Sequence, residues 1–225
     1  MIARAASLPR PPIFGIGRCE TGADPFDFEI GWPEVARDTA WARSLFTRAG
    51  LSASDVVLIT AAAWESPWFA PLVHALREMA VTYVPAEIFS FDATRFATIL
   101  QNFPVKAVVG LCADTIEGLR QQNLEVADLL ADVEVVWARP DALPLLAAVR
   151  SRVAPIAMLG PAIAMGLPSQ SGALVNAQEW RVRSHDGFLH VSTAADRATA
   201  FENFATGLRG TVTQVDGETL SVELA

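Results

Sequence analysis

Four residues that could take part in acid–base or nucleophilic chemistry come shortly after apolar runs of the sequence. They are Glu65, Glu87, Cys112 and Asp114. Two carboxyl groups held close together can divide the acid and base roles of a reaction between them. A cysteine can act as a nucleophile where its surroundings favour the thiolate, but no histidine stands beside Cys112 in the sequence. A buried structural role for this thiol is the alternative.

Aromatic residues stand beside these positions. They are Trp64, Trp68 and Phe89. Together with the carboxylates they predict a ligand-binding cleft with aromatic walls. In the alternative interpretation Asp114 caps a helix, Glu65 and Glu87 are solvated loop charges, and the tryptophans belong to the core. The sequence leaves both interpretations open because it does not give the distance between the carboxylates.

The elements that would bring these residues together alternate between short strands and helices. Residues 55–60, 81–84 and 106–111 are apolar runs with the length of buried strands. Helical periodicity over residues 66–80 and 92–100 connects them. This order predicts a parallel sheet, and ligands bind such sheets at the carboxyl ends of the strands.

The predicted fold class is α/β, with a mostly parallel sheet of about five strands and helices on both of its faces. Further strands of this sheet are predicted at residues 133–138 and 155–159. Beyond Gly160 short alternating runs predict a small antiparallel β unit that packs on the α/β body. These runs are residues 180–183, 188–192, 211–215 and 219–224, with hairpin turns at His185–Gly187 and Asp216–Gly217.

The predicted domain organisation has three parts: an N-terminal arm over residues 1–33, an α/β body over 34–165, and the small β unit over 166–225. Two glycine-rich segments are candidates for nucleotide binding. The Gly15-Ile-Gly17 motif neither follows a clear strand nor opens a clear helix, so it fails the context that dinucleotide binding requires. The segment from Gly160 to Gly172 lacks the lysine of a phosphate-binding loop and is predicted to be a linker.

Composition excludes several classes of function. The chain has 225 residues, of which 52% are hydrophobic, so it can bury a substantial core. A formal net charge of −8 disfavours nucleic-acid binding. No apolar run has membrane-spanning length, and residues 1–12 lack the apolar region of a secretory signal. Two distant cysteines and three histidines predict no metal site, and a cytoplasmic location is expected.

Several segments resemble the N-terminal domain of adenylate-forming acyl-CoA ligases, and phenylacetate–CoA ligases in particular. Residues 49–60 resemble the "aGl.pgD.vl.t" opening of that domain, and the predicted helix 66–80 together with residues 81–110 resembles its next part, "ga.viP… …il…..t.lvgt". Residues 174–193 resemble the later "lHvned … dGelvvT" segment, and residues 196–208 resemble "d.a.PliRYrTGD". The resemblance implies an α/β scaffold with a pocket for an acyl or aryl group.

The departures from the family pattern concern the ATP-binding motifs. Nothing between Gly110 and Val175 matches the phosphate loop "SSGTTGkP", and residues 159–163 do not match "YG.tE". Leu208 stands where the Asp of "TGD" binds the ribose hydroxyls. The sequence ends at Ala225, so the family's C-terminal domain and its catalytic lysine are expected to be absent. Adenylyl transfer depends on such electrostatic partners, so we expect a truncated relative with no catalytic residues, no bound cofactor and no adenylation activity.

The sequence is compatible with three functional hypotheses. The chain could be a non-catalytic or degenerate ligase relative that binds a small aryl or acyl carboxylate in a pocket lined by Trp64, Trp68 and Phe89. It could instead be an interaction subunit, pairing with a partner protein of a larger or split ligase complex or with a second copy of itself. It could also be an enzyme of unrelated chemistry that uses Glu65, Glu87 and Asp114.

Overall fold

Strands and helices alternate through the first two thirds of the computed structural model, which describes residues 12–19, 25–147, 149–168, 170–214 and 219–224. The strands are β1 (Ile13–Cys19), β2 (Phe26–Gly31), β3 (Val56–Thr60), β4 (Thr82–Ala86), β5 (Val105–Leu111), β6 (Val135–Ala138), β7 (Arg152–Leu159), β8 (Ala162–Met165), β9 (Ala173–Asn176), β10 (Trp180–His185), β11 (Phe188–Thr193), β12 (Phe204–Gln214) and β13 (Thr219–Leu224). The helices are α1 (Trp32–Arg48), α2 (Ser66–Glu78), α3 (Ala93–Asn102), α4 (Ala113–Gln121) and α5 (Val126–Leu129). Short 3₁₀ turns occupy Ala63–Glu65, Ser90–Asp92 and Leu143–Leu146.

The predicted fold class is wrong, because a single mixed sheet of eleven strands runs through the molecule. Its order is β10-β11-β12-β13-β9-β8-β7-β6-β5-β3-β4. The pairs from β4 to β7 are parallel, and the six pairs from β7 to β10 are antiparallel. The sheet is therefore mostly antiparallel, and the C-terminal strands continue it instead of packing on a five-stranded parallel sheet.

Strand β7 joins the two halves of the sheet. Its first residues, Arg152–Pro155, pair in parallel with β6, and its last residues, Ile156–Leu159, pair antiparallel with β8. Strand β8 lies inside the segment Gly160–Gly172, for which the sequence predicts a linker. Because one long strand pairs with both neighbours, the hydrogen-bonding ladder continues without a break from β6 to β8. The change to short alternating apolar runs after Gly160 therefore does not mark an edge of the sheet.

Helices cover both faces of the parallel half. On one face α1 and α2 pack on Val57, Val109 and Trp137, and on the other α3, α4 and α5 pack on residues such as Val108 and Val136. Strands buried on both faces read as continuous apolar runs, which matches the sequence of β3, β5 and β6.

A two-stranded ribbon, formed by β1 and β2, lies within the predicted N-terminal arm, whose residues 1–11 lie outside the described residues. Phe28 at 5.8 Å from Trp68 and 5.7 Å from Phe201 (ring centroids) packs this ribbon against α2 and the segment before β12. Aromatic pairs at these distances and edge-on angles are favourable beyond the area they bury.

A buried ionic cluster fastens α1 to the C-terminal strands. The Arg197 guanidinium donates to Glu179 Oε2 (2.6 Å) and to Asp38 Oδ2 (2.9 Å), and its Nε lies 3.3 Å from Glu34 Oε2. It also lies 4.4 Å from the centre of the Trp180 ring. Because buried charges are tolerated only when they are paired and hydrogen-bonded, this cluster fixes the position of the segment that carries Arg197.

The turn between β10 and β11 forms as the sequence predicts. Asp186 and Gly187 have φ angles of 51° and 78°, and His185 pairs with Phe188 across a two-residue loop. Two successive positive φ angles define the hairpin turn whose twist matches that of the strands. The second predicted turn, Asp216–Gly217, lies outside the described residues.

Candidate functional site

The carboxyl ends of the parallel strands form one edge of the molecule, as such sheets require. Strands β3, β4, β5 and β6 end there at Thr60, Ala86, Leu111 and Ala138. The site residues predicted from the sequence follow the ends of β3, β4 and β5, and the structure places all of them at this edge. Their contacts differ and include an ion pair, hydrogen bonds to the backbone and aromatic packing.

Glu65 forms a bidentate ion pair with Arg139, the residue that comes directly after β6. The Nη1 and Nη2 atoms of Arg139 donate to Oε1 and Oε2 of Glu65 at 2.5 and 2.7 Å. Arg139 Nε also donates to the carbonyl of Gly110 (3.0 Å), and Glu65 Oε2 accepts from the N–H of Ala62 (2.8 Å). Glu65 is buried and Arg139 half-buried, and the pair joins the ends of β3, β5 and β6, so Glu65 is not a solvated loop charge.

The hydrogen bonds of Arg139 raise the pKa of its guanidinium. Burial opposes the charge, but the hydrogen bond and charge of Glu65 outweigh it. Fork-to-fork pairs of this kind hold both side chains in a fixed geometry. Both oxygens of Glu65 are occupied by N–H donors, which removes it as a free acid or base.

Cys112 and Asp114 hold the loop after β4. Cys112 Sγ donates to the carbonyl of Ile88 (3.0 Å), and Thr115 Oγ1 donates to the same oxygen (2.9 Å). Asp114 Oδ2 accepts from the N–H of Ser90 (2.8 Å). Cys112 is buried, so its contacts match the structural role that was the alternative to a nucleophile.

The loop itself is closed by a further carboxylate. Asp92 Oδ2 accepts from the N–H of Glu87 (2.8 Å), which ties the two ends of residues 87–92 together. The side chain of Glu87 is half-buried. The predicted carboxylates therefore gather at one edge. Glu65 binds Arg139 and Asp114 binds the N–H of Ser90, so these two do not face each other as an acid–base pair.

Two of the predicted aromatic residues lie next to each other, and the third does not. The ring centroids of Trp64 and Phe89 are 5.7 Å apart, and Phe91 stacks on Phe89 at 5.2 Å. Trp68 is buried, packs against Phe28, and donates its Nε1–H to the carbonyl of Gly160 (2.9 Å). It belongs mainly to the core.

A cleft opens beside this edge between the two halves of the sheet. Its narrower part, of about 300 Å³, is lined by Phe69, Arg139, Pro140, Asp141, Ile156, Ala157, Met158 and Leu208. Its wider part, of about 570 Å³, is lined by Arg18, Cys19, Trp64, Glu65, Trp68, Met158, Gly160, Thr206 and Leu208. Met158 on β7 and Leu208 on β12 line both parts, so the two volumes adjoin. A mainly apolar wall with a few polar groups is typical of sites for small organic molecules.

Sequence reasoning missed Arg139 and Met158. Arg139 comes directly after a predicted strand, so the rule that selects Glu65 and Glu87 should select it too. Met158 carries no local signal, because only the course of β7 past the end of β6 brings it to the cleft. Leu208 is singled out by the family resemblance, and the structure places its side chain in the cleft wall.

Burial raises the pKa of the Cys19 thiol, which lines the wider part of the cleft, to about 12. A thiol with such a pKa is protonated at neutral pH and is a poor nucleophile. Among the described residues, no group of three or more His, Cys, Asp or Glu side chains is placed to hold a metal ion. None of the described helices is both long and apolar enough to cross a membrane.

No protein-family model matches the sequence, and no curated protein matches it. Solved structures do match. The chain aligns over 99% of its length with 61% of a 2-hydroxyisobutyryl-CoA ligase solved in an open conformation with 2-HIB-AMP and CoA, at a TM-score of 0.71 and 12% identity. It aligns over 92% of its length with 51% of a malonyl-CoA ligase bound to methylmalonyl-CoA and AMP (TM-score 0.58, 14% identity). A fatty acyl CoA synthetase of Mycobacterium tuberculosis gives a TM-score of 0.58 at 16% identity, over 92% of this chain and 46% of that one.

The fold resembles that of adenylate-forming acyl-CoA ligases. The family resemblance predicted from the sequence is therefore confirmed at the level of the fold. The chain spans between 46% and 61% of the length of these three ligases. Identities of this size show the fold alone, so the loss of the ATP-binding motifs and its consequences for activity stay predictions.

Proposed function

We propose that this chain binds a small organic acid, acyl or aryl, in the cleft at the carboxyl ends of the parallel strands, and does not activate it as an adenylate. The observation that carries the proposal is the position of Leu208. It lines both parts of the cleft. The alignment of residues 196–208 with the ligase motif, predicted from the sequence, supports the proposal, because it sets Leu208 against a ribose-binding aspartate.

The apolar part of the acid is accommodated by Phe69, Met158 and Leu208. Burying an acyl or aryl group against such side chains contributes roughly 25 cal/mol per Å² of apolar surface removed from water. A triphosphate, in contrast, needs several cationic partners, and both arginines of the cleft lining already face a carboxylate, Arg139 that of Glu65 and Arg18 that of Asp27. This balance favours the acid over a nucleotide.

The carboxylate of the bound acid meets the remaining donor of Arg139. Of its five N–H groups, Nε, one on Nη1 and both on Nη2 are directed at Gly110, Glu65 and Thr60, which leaves one Nη1–H without a partner among the described residues. Lys106 cannot contribute a charge here, because it is the single lysine of the sequence and its Nζ bonds Asp55 (3.0 Å) near the amino ends of the strands.

The experiment is a calorimetric titration of the purified chain with phenylacetate, benzoate, butyrate, 2-hydroxyisobutyrate, ATP and AMP. We expect at least one carboxylate to bind in the titration and, in a separate thermal melt, to raise the melting temperature of the protein. ATP should neither bind nor change the melting temperature. Leu208→Trp fills the cleft and should abolish binding. Thr213→Trp, at an exposed position further along the same strand and outside the cleft lining, is the matched control and should bind as the unmodified chain does.

Two results would contradict the proposal. If none of the four carboxylates binds, the cleft is not an acid site. If the chain exchanges pyrophosphate into ATP in the presence of any of them, it is an adenylating enzyme, and the claim that it does not activate the acid is wrong.

A further inference from the structure

Three aromatic side chains in contact, two of them exposed and one half-buried, form a surface at the border of the cleft. Trp64, Phe89 and Phe91 make up this surface, the aromatic ridge. Trp64 is 65% exposed and Phe91 is 76% exposed, and the centroids of neighbouring rings are 5.7 and 5.2 Å apart. Contiguous exposed apolar groups of this size are uncommon on proteins that have no partner, because leaving them in water forgoes the free energy of burial.

The ridge is held rigidly. The loop that carries Phe89 and Phe91 receives hydrogen bonds from Cys112 and Thr115 to the Ile88 carbonyl, and it donates the Ser90 N–H to Asp114. It is also closed on itself by Asp92. A loop fixed in this way presents its rings without the entropic cost of ordering them on binding. These supporting contacts come from Asp114 and Thr115 on α4 and from Cys112, which directly precedes that helix.

The charged side chains of the loop that carries Phe89 and Phe91 are acidic, whereas the basic residues near Trp64 are in ion pairs, Arg139 with Glu65 and Arg18 with Asp27. Within the ridge loop (87–92) and the segment that supports it (112–115), the charged side chains are Glu87, Asp92 and Asp114, with no basic residue among them. The nearest basic residue along the chain is Arg95. Aromatic faces attract cations through the quadrupole of the ring, and the surrounding carboxylates add to that attraction. The surface therefore suits a cationic ligand.

We propose that the aromatic ridge docks an arginine-bearing segment of a partner protein. A guanidinium is planar, stacks on aromatic faces and is less strongly hydrated than an ammonium, so it fits Phe91 and Trp64 better than a lysine does. Trp64 and Phe91 are exposed and contact the half-buried Phe89 between them, so a single free cation covers only part of the ridge, whereas an extended segment covers all of it. A second copy of this chain carries a net charge of −8 and is repelled as a whole.

Fluorescence anisotropy with labelled peptides of alternating Gly and Arg, Gly and Lys, or Gly and Glu tests this proposal. We expect the Arg peptide to bind more tightly than the Lys peptide, and the Glu peptide not to bind. Phe91→Ser should weaken binding of the Arg peptide at least about fivefold, the loss of one desolvated cation–π contact. Phe103→Ser removes another exposed phenylalanine (49% exposed) outside the ridge and should leave the affinity unchanged. Neither side chain is buried, so both variants should fold.

Four results would overturn the proposal. Equal effects of Phe91→Ser and Phe103→Ser would mean that the peptide binds through net charge alone. Equal binding of the Arg and Lys peptides would remove the guanidinium from the argument. Competition by arginine amide as strong as that by the peptide would assign the ridge to a small cation. A dimer in sedimentation velocity that Phe91→Ser dissociates would assign it to a second copy.

Discussion

The buried Glu65 and the half-buried Arg139 form a bidentate ion pair that connects the ends of strands β3 and β6, with N–O distances of 2.5 and 2.7 Å. Both residues line the cleft, as does Trp64 of the aromatic ridge, which precedes Glu65 in the chain. Arg139 also holds the carbonyl of Gly110 at the end of β5. Three strand ends are thus fixed around one guanidinium, and the walls of the cleft depend on it.

Arg139→Ala should destabilise the protein strongly. It leaves the buried carboxylate of Glu65 without its partner, and breaking one side of a buried pair costs about 3–5 kcal/mol. Urea unfolding followed by circular dichroism measures this loss. Arg43→Ala is the control, because Arg43 pairs with Glu78 on the surface (3.4 Å) and its loss should cost no more than ~1 kcal/mol. Losses of equal size in the two variants would show that the Glu65–Arg139 pair is not desolvated.

Gly110→Ala should destabilise the protein more than Gly50→Ala. Both glycines have a φ of +94°, so alanine is strained at either position by roughly 1–2 kcal/mol. Only at Gly110 would the added Cβ also collide with the carbonyl oxygen of Thr60, whereas nothing lies within 4 Å of it at Gly50. Thermal melting of the two variants separates the collision from the strain, and identical melting temperatures would exclude the close approach of β5 to β3.

Asp38 should make stability fall as the pH rises. Burial raises the pKa of its carboxyl above 3.8, Glu179 and Glu34 act in the same direction, and Arg197 opposes them. The folded state binds the Asp38 proton more readily than the unfolded chain does. The resulting contribution to the free energy of unfolding is complete below pH 3.8 and is lost as the pH rises through the raised pKa. Urea unfolding over a series of pH values should show this decline in the unmodified chain. In Asp38→Asn the decline should be smaller, and an unchanged slope would contradict the assignment.

Asp55 should have the opposite effect on the pH dependence. Burial acts against its charge, but hydrogen bonds from Ser52 and Lys106 outweigh burial and lower the pKa of the carboxyl below 3.8. Its contribution to stability is therefore present above pH 3.8 and is lost as the pH falls through the lowered pKa. Lys106→Met removes one of these donors and should make the protein less resistant to acid. Acid titration monitored by tryptophan fluorescence would reveal the difference, and overlapping curves for the two proteins would contradict it.

Cys19 should be inert towards alkylation in the folded protein. With a pKa of about 12, only about one part in 10⁴ of the thiol is deprotonated at pH 8. In the Cys112→Ser variant, which leaves Cys19 as the single cysteine, iodoacetamide labelling followed by mass spectrometry should be slow under native conditions and fast in urea. Rapid native labelling would mean that the cleft wall is open at this position.

The sequence by itself determined the local elements of the parallel half. Mainly apolar runs, with polar residues confined to positions at or near their ends, predict β3, β5 and β6, because strands covered on both faces have no polar side. The spacing of Trp68, Phe69, Leu72 and Leu76 predicts α2, and Asp186-Gly187 predicts a hairpin turn through its tolerance of positive φ. These features depend on neighbours along the chain, so the sequence contains their signal. The positions of Glu65, Glu87, Cys112 and Asp114 at one edge are a consequence of the same local order.

Only the tertiary structure decided how the two halves of the sheet join and what the gathered residues do. Strand β7 pairs with β6 in one direction and with β8 in the other, and the residues of β7 alone do not show where along the strand this change of direction falls. The course of the whole sheet from β7 to β12 brings Met158 and Leu208 to the cleft wall, although the two residues are 50 positions apart in the sequence. Whether Glu65 lies next to another carboxylate or next to the guanidinium of Arg139 depends on how distant segments pack. The protonation state and reactivity of a carboxyl group depend on the charges nearest to it, and the residue type alone does not give them.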